Sequence, residues 1–434
     1  MLAYELPAER VAPASAWDLP GRVAAAVALA ALAPALLLIL VAGRRRGTRL
    51  TWLPRIGKHG RPFLEASLAP GELGGLGRLG VRRWPALVNV MRGDLALVGP
   101  RARAPGELDA RDPRARALAA ARPGLVGPWW IRARRGLDYG DELECDLAYL
   151  ASRDARTDAG MLVRAALALA FGAPADAGTR QCRVLGVRAD TLSMEEAEDR
   201  LAALAGGAHP TQVCFANADC LNLACRDEKY RDTLAQARLV LPDGVGIRIA
   251  SRLAGTPIRH NVNGTDLFPR LCARLATDRR RVFLLGARPG IPEKVAAWIH
   301  AHHPDLAVAG IQHGYFTEEA AVIERIRASG ADVLLVAFGA PRQDVWIRDH
   351  LSTLGVSLAI GVGGLFDFYS FTLPRAPLWV REIGMEWAFR LAQEPGRLWR
   401  RYVIGNGVFL ARVALELAGL VAYGEEATEG AALA

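Results

Sequence analysis

Leu239-Val240-Leu241-Pro242-Asp243-Gly244-Val245-Gly246 is the stretch whose reading decides the fold. Three consecutive apolar residues read as a strand buried on both faces, as in a parallel sheet covered by helices. Pro242 is not expected to continue the ladder, while Gly244 and Gly246 admit tight backbone geometry. Asp243 is therefore expected just beyond the strand's carboxyl end, where open α/β sheets bind ligands. Two roles stay open for it at this point: a catalytic carboxylate, or a cap for the helix beginning near Val245.

Working outward, strands and helices alternate. Residues 184–187 read as a short strand, Ser193 as an N-cap with Glu196 three residues on, and 197–204 as a helix. A strand at 212–216 ends in Asn217-Ala218-Asp219, one helix runs from 221 to 237, and 239–241 follows as the central strand. Residues 282–285, 333–338 and 357–361 are three more apolar strands. The pattern predicts a parallel, Rossmann-like α/β sheet with right-handed crossovers.

Glycines cluster after these strands, in Gly286-Ala287-Arg288-Pro289-Gly290, Gly339-Ala340-Pro341-Arg342-Gln343 and Gly361-Val362-Gly363-Gly364. Such loops let backbone N–H groups approach phosphate oxygens, and three on one sheet edge point to a nucleoside diphosphate, with Arg288 and Arg342 able to add charge. No G-x-G-x-x-G opens the region and no Walker lysine appears, which argues against NAD and ATP hydrolysis.

The whole chain has 434 residues, 51% of them hydrophobic, and a formal charge of +9. That is room for two or three cores. The charge fits nucleic acid, an anionic membrane or phosphate-bearing substrates, but no aromatic RNP pattern or Cys/His finger supports nucleic acid. Six cysteines stand at irregular spacings in mostly apolar company, as reduced core residues do. Asp219, Asp243 and Asp266 form no Asp-x-Asp pair for a metal.

Near the N-terminus an alanine- and leucine-rich run from Val23 to Ala42 ends in Gly43-Arg44-Arg45-Arg46. Twenty such residues can cross a bilayer, with the arginines on the cytoplasmic side. Pro34 in mid-run leaves a re-entrant hairpin equally open. Residues 403–423, interrupted by Arg412 and Glu416, read as a surface-lying helix.

Behind the apolar run stand Arg55-Ile56-Gly57-Lys58-His59-Gly60-Arg61-Pro62-Phe63, then Trp84-Pro85 to Gly99-Pro100-Arg101, then Arg122-Pro123-Gly124-Leu125-Val126-Gly127-Pro128-Trp129. In this order they resemble the bacterial sugar transferases that load a phosphosugar onto polyprenyl phosphate, over roughly residues 20 to 170. In that family an Asp-Glu pair precedes the proline matching Pro85, and its aspartate is the covalent nucleophile. Here Arg82 and Arg83 hold those positions, and a guanidinium cannot attack phosphorus. The resemblance thus implies an inactive domain, retaining a membrane helix and a basic surface around Trp129, Trp130, Arg132, Arg134 and Arg135. The short, glycine-rich stretch from Leu68 to Gly80 departs further from that pattern.

A second, stronger resemblance covers roughly residues 182 to 410. It rests on 239–246, Gly264-Thr265-Asp266-Leu267-Phe268, His313-Gly314-Tyr315-Phe316, 339–343, Gly361-Val362-Gly363-Gly364-Leu365-Phe366-Asp367, Arg375-Ala376-Pro377, Gly384-Met385-Glu386-Trp387, Arg390-Leu391 and Glu394-Pro395. These look like the WecG/TagA/CpsF glycosyltransferases, which move N-acetylmannosamine or a hexose from a UDP donor to a lipid-linked sugar. The resemblance implies that Asp243 is the general base of an inverting transfer. Asn217, Gly244, Asn263, Gly264, Thr265, Asp266, Gly286, Gly339, Gln343, Gly363 and Arg375 would line the substrate site, with Arg397, Arg400 and Arg401 closing over it from a C-terminal appendage. No metal and no cofactor are implied. Phe215 stands where the family commonly has threonine, and Asn261 where it has arginine, with Arg259 able to compensate.

The expected organisation is a lead at 1–21, a membrane helix or re-entrant hairpin at 22–46, a mostly helical, membrane-associated, degenerate sugar-transferase-like domain at 47–171, and a linker at 172–181. The glycosyltransferase domain at 182–395, a basic amphipathic appendage at 396–423 and a disordered tail at 424–434 complete it. The expected partners are a UDP-sugar, a polyprenyl-diphosphate-linked sugar, the cytoplasmic face of the bacterial inner membrane, and a second copy of the chain in a homo-oligomer. Two other readings stay open: a non-catalytic scaffold for polysaccharide-assembly enzymes, and an active phosphosugar transferase.

Overall fold

In a computed structural model of the chain, residues 18–44, 47–69, 80–108, 111–135, 141–171, 181–258, 260, 262–382 and 384–423 are described. The expected lead before residue 18, most of the 68–80 stretch, the linker at 172–180, Arg259, Asn261 and the tail from 424 lie outside them. Contacts divide the chain into two compact units, Met1–Ala175 and Asp176–Ala434.

The first unit opens with the helix Asp18–Gly43, which runs unbroken through Pro34, so the chain does not fold back at the proline. Among the described residues it is the one helix long and apolar enough to cross a membrane. Short helices follow, with Ala155–Phe171 the longest of them. The unit also contains strands: an antiparallel hairpin, β1 (Leu50–Ile56) with β2 (Pro62–Leu68), and a parallel pair, β3 (Ala96–Val98) with β4 (Gly124–Val126). Trp129 and Trp130, expected in a basic surface, each lie beneath an arginine. Both are half-buried, the first under the Arg101 guanidinium at 5.2 Å and the second under Arg134 at 5.2 Å.

The second unit begins with an antiparallel hairpin, β5 (Gln181–Val184) and β6 (Val187–Asp190), where a single strand is expected. Leu185 and Gly186 both have positive φ (49° and 75°), so the chain reverses between them. The capping box of Ser193 and Glu196 starts the helix Met194–Ala205. A six-stranded sheet follows, with all pairings parallel: β7 (Thr211–Ala216), β8 (Leu239–Pro242), β9 (Arg281–Gly286), β10 (Ala307–Gln312), β11 (Val333–Ala337) and β12 (Leu358–Gly361), in the order β10-β9-β11-β12-β7-β8.

Two differences from the sequence reading have clear causes. β8 is an edge strand rather than a central one, and it reaches Pro242, which an edge tolerates because its missing N–H interrupts no second ladder. It is nonetheless buried, because β6 lies along its other side and the Asp190 carboxylate accepts a hydrogen bond from Val240 N at 2.9 Å. The expected helix at 221–237 is two helices, Ala218–Ala224 and Glu228–Gln236, because Asp227 caps the second by accepting from Tyr230 N.

Apolar residues on the two sheet faces form separate layers. Val213, Leu241, Leu284, Leu335 and Ile360 lie in one, and Cys214, Val240 and Ala216 in another with Leu221 and Tyr230. Five of the six cysteines are buried and all are free. The helix Gly405–Leu417 docks on the second layer through Phe409 and Val413. Its two charged residues fasten it: Arg412 donates to Asn222 O at 2.9 Å, and Glu416 accepts from Leu185 N at 3.0 Å.

Candidate active site

Burial on both faces leaves a parallel sheet only its strand ends for chemistry. The chain steps from β7 outward to β8 and then crosses to build β9–β12 on the other side, and such a reversal leaves a crevice beyond the strands' carboxyl ends. A cleft of ≈ 430 Å³ lies there, lined by residues following β7, β8, β9, β11 and β12 and by the segment 390–401.

Asp243 is the first residue past β8, its N–H held by Ala216 O at 2.8 Å. The helix Val245–Leu253 begins at Gly244 without a side-chain cap, so capping does not account for the aspartate. The carboxylate is half-buried on the cleft wall. Burial pushes its pKa from 3.8 up to about 6, with Glu386 adding to the rise and Arg390 and Arg401 pulling against it. A carboxylate held this way is a stronger base than one in water.

Asn217 also lines the cleft, but its side-chain oxygen caps the helix Ala218–Ala224, accepting from Asp219 N at 3.0 Å and Cys220 N at 3.1 Å. What Asn217 offers a ligand is therefore its NH₂ group. Gln343 is buried, and its Oε1 accepts from Gly339 N at 3.1 Å and Gly363 N at 2.9 Å. One side chain thus fastens two glycine loops. Both glycines have positive φ (83° and 56°), and a Cβ on either would meet nothing within 4 Å. Their shape, not crowding, calls for glycine.

This arrangement corrects the expected phosphate cradle, because the Gly339 and Gly363 amides are taken up by Gln343. Positive charge comes from side chains instead: Arg288, Arg342, Arg390, Arg397 and Arg401 line the cleft, against two carboxylates, Asp243 and Asp367. Arg390 is absent from the expected substrate residues although it stands in a quoted motif. Its guanidinium lies over Phe368 at 5.0 Å and lowers the pKa of both cleft carboxylates. Arg401 Nε pairs with Asp219 at 3.1 Å, and Arg397 with Glu394 at 2.5 Å. Tyr315, Phe215 and Asp367 also line the cleft; Tyr315 and Asp367 stand in motifs of the resemblance, and Phe215, near the end of β7, where that family commonly has threonine.

The remaining expected residues do not line it. Asn263 caps the helix Gly264–Thr277 by accepting from Asp266 N at 2.8 Å, and its NH₂ donates to the Asp266 carboxylate at 2.7 Å. Asp266 in turn pairs with Arg375 at 2.6 Å and Arg381 at 3.5 Å. Thr265 O accepts from the Tyr369 hydroxyl at 2.6 Å. This is a strut tying 263–266 to 369–381, and the field of Asp266 raises the pKa of Asp243 on the cleft wall. Gly264 lies against the Phe215 ring, and Gly244 supplies a positive φ of 92° to the turn. Gly286 ends β9 so close to Ala337 that a Cβ would lie 2.6 Å from its carbonyl oxygen. Arg400 lies over Trp399 at 5.5 Å. Among the described residues no three His, Cys, Asp or Glu side chains cluster as a metal site requires.

Gln343→Ala tests the loop clasp. It orphans two N–H donors at a cost of about 1–3 kcal/mol each, so the melting temperature should fall by several degrees and the KM for the ligand of this cleft should rise by roughly tenfold. An unchanged melting curve and KM, from calorimetry and substrate titration, would show that the loops hold without it.

Comparison with known proteins agrees with this division. Residues 182–421 match the model of the glycosyl transferase WecG/TagA/CpsF family, and residues 76–172 that of the bacterial sugar transferases. The chain is 30% identical over 212 residues (49% of this chain, 79% of the relative) to the N-acetylglucosaminyldiphosphoundecaprenol N-acetyl-beta-D-mannosaminyltransferase of Bacillus subtilis (strain 168). The protein of that name from Bacillus spizizenii is 33% identical over 189 residues (44% and 73%), and that from Staphylococcus aureus (strain MW2) 27% over 226 residues (51% and 88%).

Proposed function

We propose that this chain, which belongs to the glycosyl transferase WecG/TagA/CpsF family, is an inverting hexosyl- or N-acetylhexosaminyltransferase of cell-surface polysaccharide assembly. Its donor is a UDP-sugar carrying N-acetylmannosamine or a hexose, and its acceptor a sugar on polyprenyl diphosphate at the cytoplasmic face of the inner membrane. The relatives' names supply the acceptor chemistry. The observation that carries the reading is a desolvated carboxylate, Asp243, facing an arginine-lined cleft.

The acceptor hydroxyl gives its proton to Asp243 as its oxygen bonds to the anomeric carbon. The bond from that carbon to the diphosphate oxygen breaks on the opposite face, and UDP leaves with the electron pair. Arg288, Arg390, Arg397 and Arg401 are placed to take up the charge developing on the leaving diphosphate. The N-terminal unit contributes no chemistry, since Arg82 and Arg83 replace the acidic pair.

Purified protein incubated with a panel of UDP-sugars and polyprenyl-diphosphate sugars tests this. UDP release that requires both substrates, with a disaccharide on the lipid, is the expected result. No lipid-linked product from any pairing would remove the reading.

A further inference from the structure

We propose that the β1–β2 hairpin is a second membrane contact, seated in the headgroup layer of an anionic bilayer beside the N-terminal helix. The inference rests on that helix being the anchor, and the experiment below separates the two.

The hairpin starts at the helix's carboxyl end, where Thr48 N donates to Gly43 O at 3.0 Å. In the antiparallel register Trp52 pairs with Ala66, Pro54 with Leu64 and Leu50 with Leu68, so these six side chains share one face. The β2 side of that face is partly covered: Ala66 is buried, and Leu68 packs with Leu36 and Val81, and against Ile39, Leu40 and Trp84. The rest is bare, with Leu50 43%, Trp52 44% and Leu64 55% exposed and Pro54 exposed beside them. Leu37, Leu38 and Val41 on the neighbouring helix are exposed as well.

Charge fixes the occupant. No Asp or Glu occurs between Asp18 and Glu65, while Arg44, Arg45, Arg46, Arg49, Arg55, Lys58 and Arg61 all fall in that interval. Arg44 and Arg49 are exposed at the end of the helix, and Arg61 at the hairpin tip beside the part-exposed Lys58. A protein partner for an apolar face would need carboxylates to meet this fringe, whereas anionic phospholipid supplies acyl chains and phosphates in the right order. Length agrees: 26 residues of helix span about 39 Å, against about 30 Å of hydrocarbon. With residues 23–42 filling that thickness, Gly43 and the arginines after it fall at headgroup level, and the hairpin begins just beyond them. A tryptophan with an apolar body and one N–H donor suits that layer.

The test uses the full chain in vesicles of phosphatidylcholine with phosphatidylglycerol, and in phosphatidylcholine alone, with photoreactive p-benzoylphenylalanine at position 52 or at 53. Leu53 lies on the opposite face of the hairpin and is 38% exposed. Lipid crosslinking from 52 should exceed that from 53 several-fold. Adding Lys58→Gln and Arg61→Gln should lower the yield from 52 by roughly fivefold in the anionic vesicles and little in the neutral ones. Equal yields from 52 and 53, or crosslinks from 52 to protein alone, would overturn the hairpin contact while leaving the anchor standing. A chain that does not float with vesicles at all overturns both.

Discussion

Asp243→Asn is expected to lower turnover by at least about a hundredfold while UDP binds nearly as before, because it removes a proton acceptor and little else. The change is close to isosteric, and Asp243 caps no helix whose loss could explain a fall in rate. The pH dependence should carry the same signature. With the carboxyl pKa pushed up to about 6, kcat/KM should climb with rising pH through that region and level off above it. The asparagine variant should show no such limb in its residual rate.

Stability gives an independent check of opposite sign. Because the folded pKa lies above the ordinary 3.8, the buried anion costs nothing at lower pH, an increasing amount between 3.8 and about 6, and its full cost above. At neutral pH the variant should therefore melt no lower than the parent. Turnover within threefold of the parent, or a lowered melting temperature with turnover preserved, would return Asp243 to a structural role.

How much of this was legible in the sequence depends on the range of the interaction. Runs such as Val333–Ala337 and Leu239–Pro242, buried along their whole length, announced themselves as strands. β10 did not, since Ala307–Gln312 is half-exposed and Gly310 has no side chain because the Phe283 ring occupies that space, 2.4 Å from where a Cβ would stand. Strand ends placed Asn217, Asp243, Gly339 and Gly363 correctly at one rim. The partners that decide what those residues do come from far along the chain. Nothing local to Gln343 says that its oxygen clasps two loops, and nothing local to Asp266 says that Arg375 will take up its carboxylate. The Gly339 and Gly363 amides are not free to bind a phosphate for that reason: an amide can be counted from sequence, but whether it is already bonded cannot. The arginines divide in the same way: Arg397 and Arg401 line the cleft as expected, whereas Arg375 pairs with Asp266, Arg400 lies over Trp399, and Arg390, absent from the expected substrate residues, lines the cleft.

The nucleotide released should distinguish the two units without ambiguity. Transfer through an aspartyl intermediate breaks the pyrophosphate and yields UMP, whereas attack at the anomeric carbon yields UDP. The first needs an anionic oxygen nucleophile and a metal to screen the donor's charge. Arg82 and Arg83 supply neither, and the local structure has closed around the change. Arg83 Nη2 pairs at 3.0 Å with Glu65, a buried carboxylate that Arg55 Nε also holds at 2.9 Å. Breaking such a buried pair typically costs about 3–5 kcal/mol, so Glu65 is not a free nucleophile in waiting. The other nearby acids are engaged too. Asp94 accepts from Asn89 Nδ2 at 3.1 Å, and Glu107 accepts from Ala104 N at 2.8 Å and pairs with Arg101 at 3.1 Å. The wild-type chain should thus release no UMP from any UDP-sugar given polyprenyl phosphate, with or without Mg²⁺, while releasing UDP when given a glycosylated lipid diphosphate. Lipid-phosphate-dependent UMP that persists in Asp243→Asn would refute this, and would make one of those engaged carboxylates the nucleophile after all.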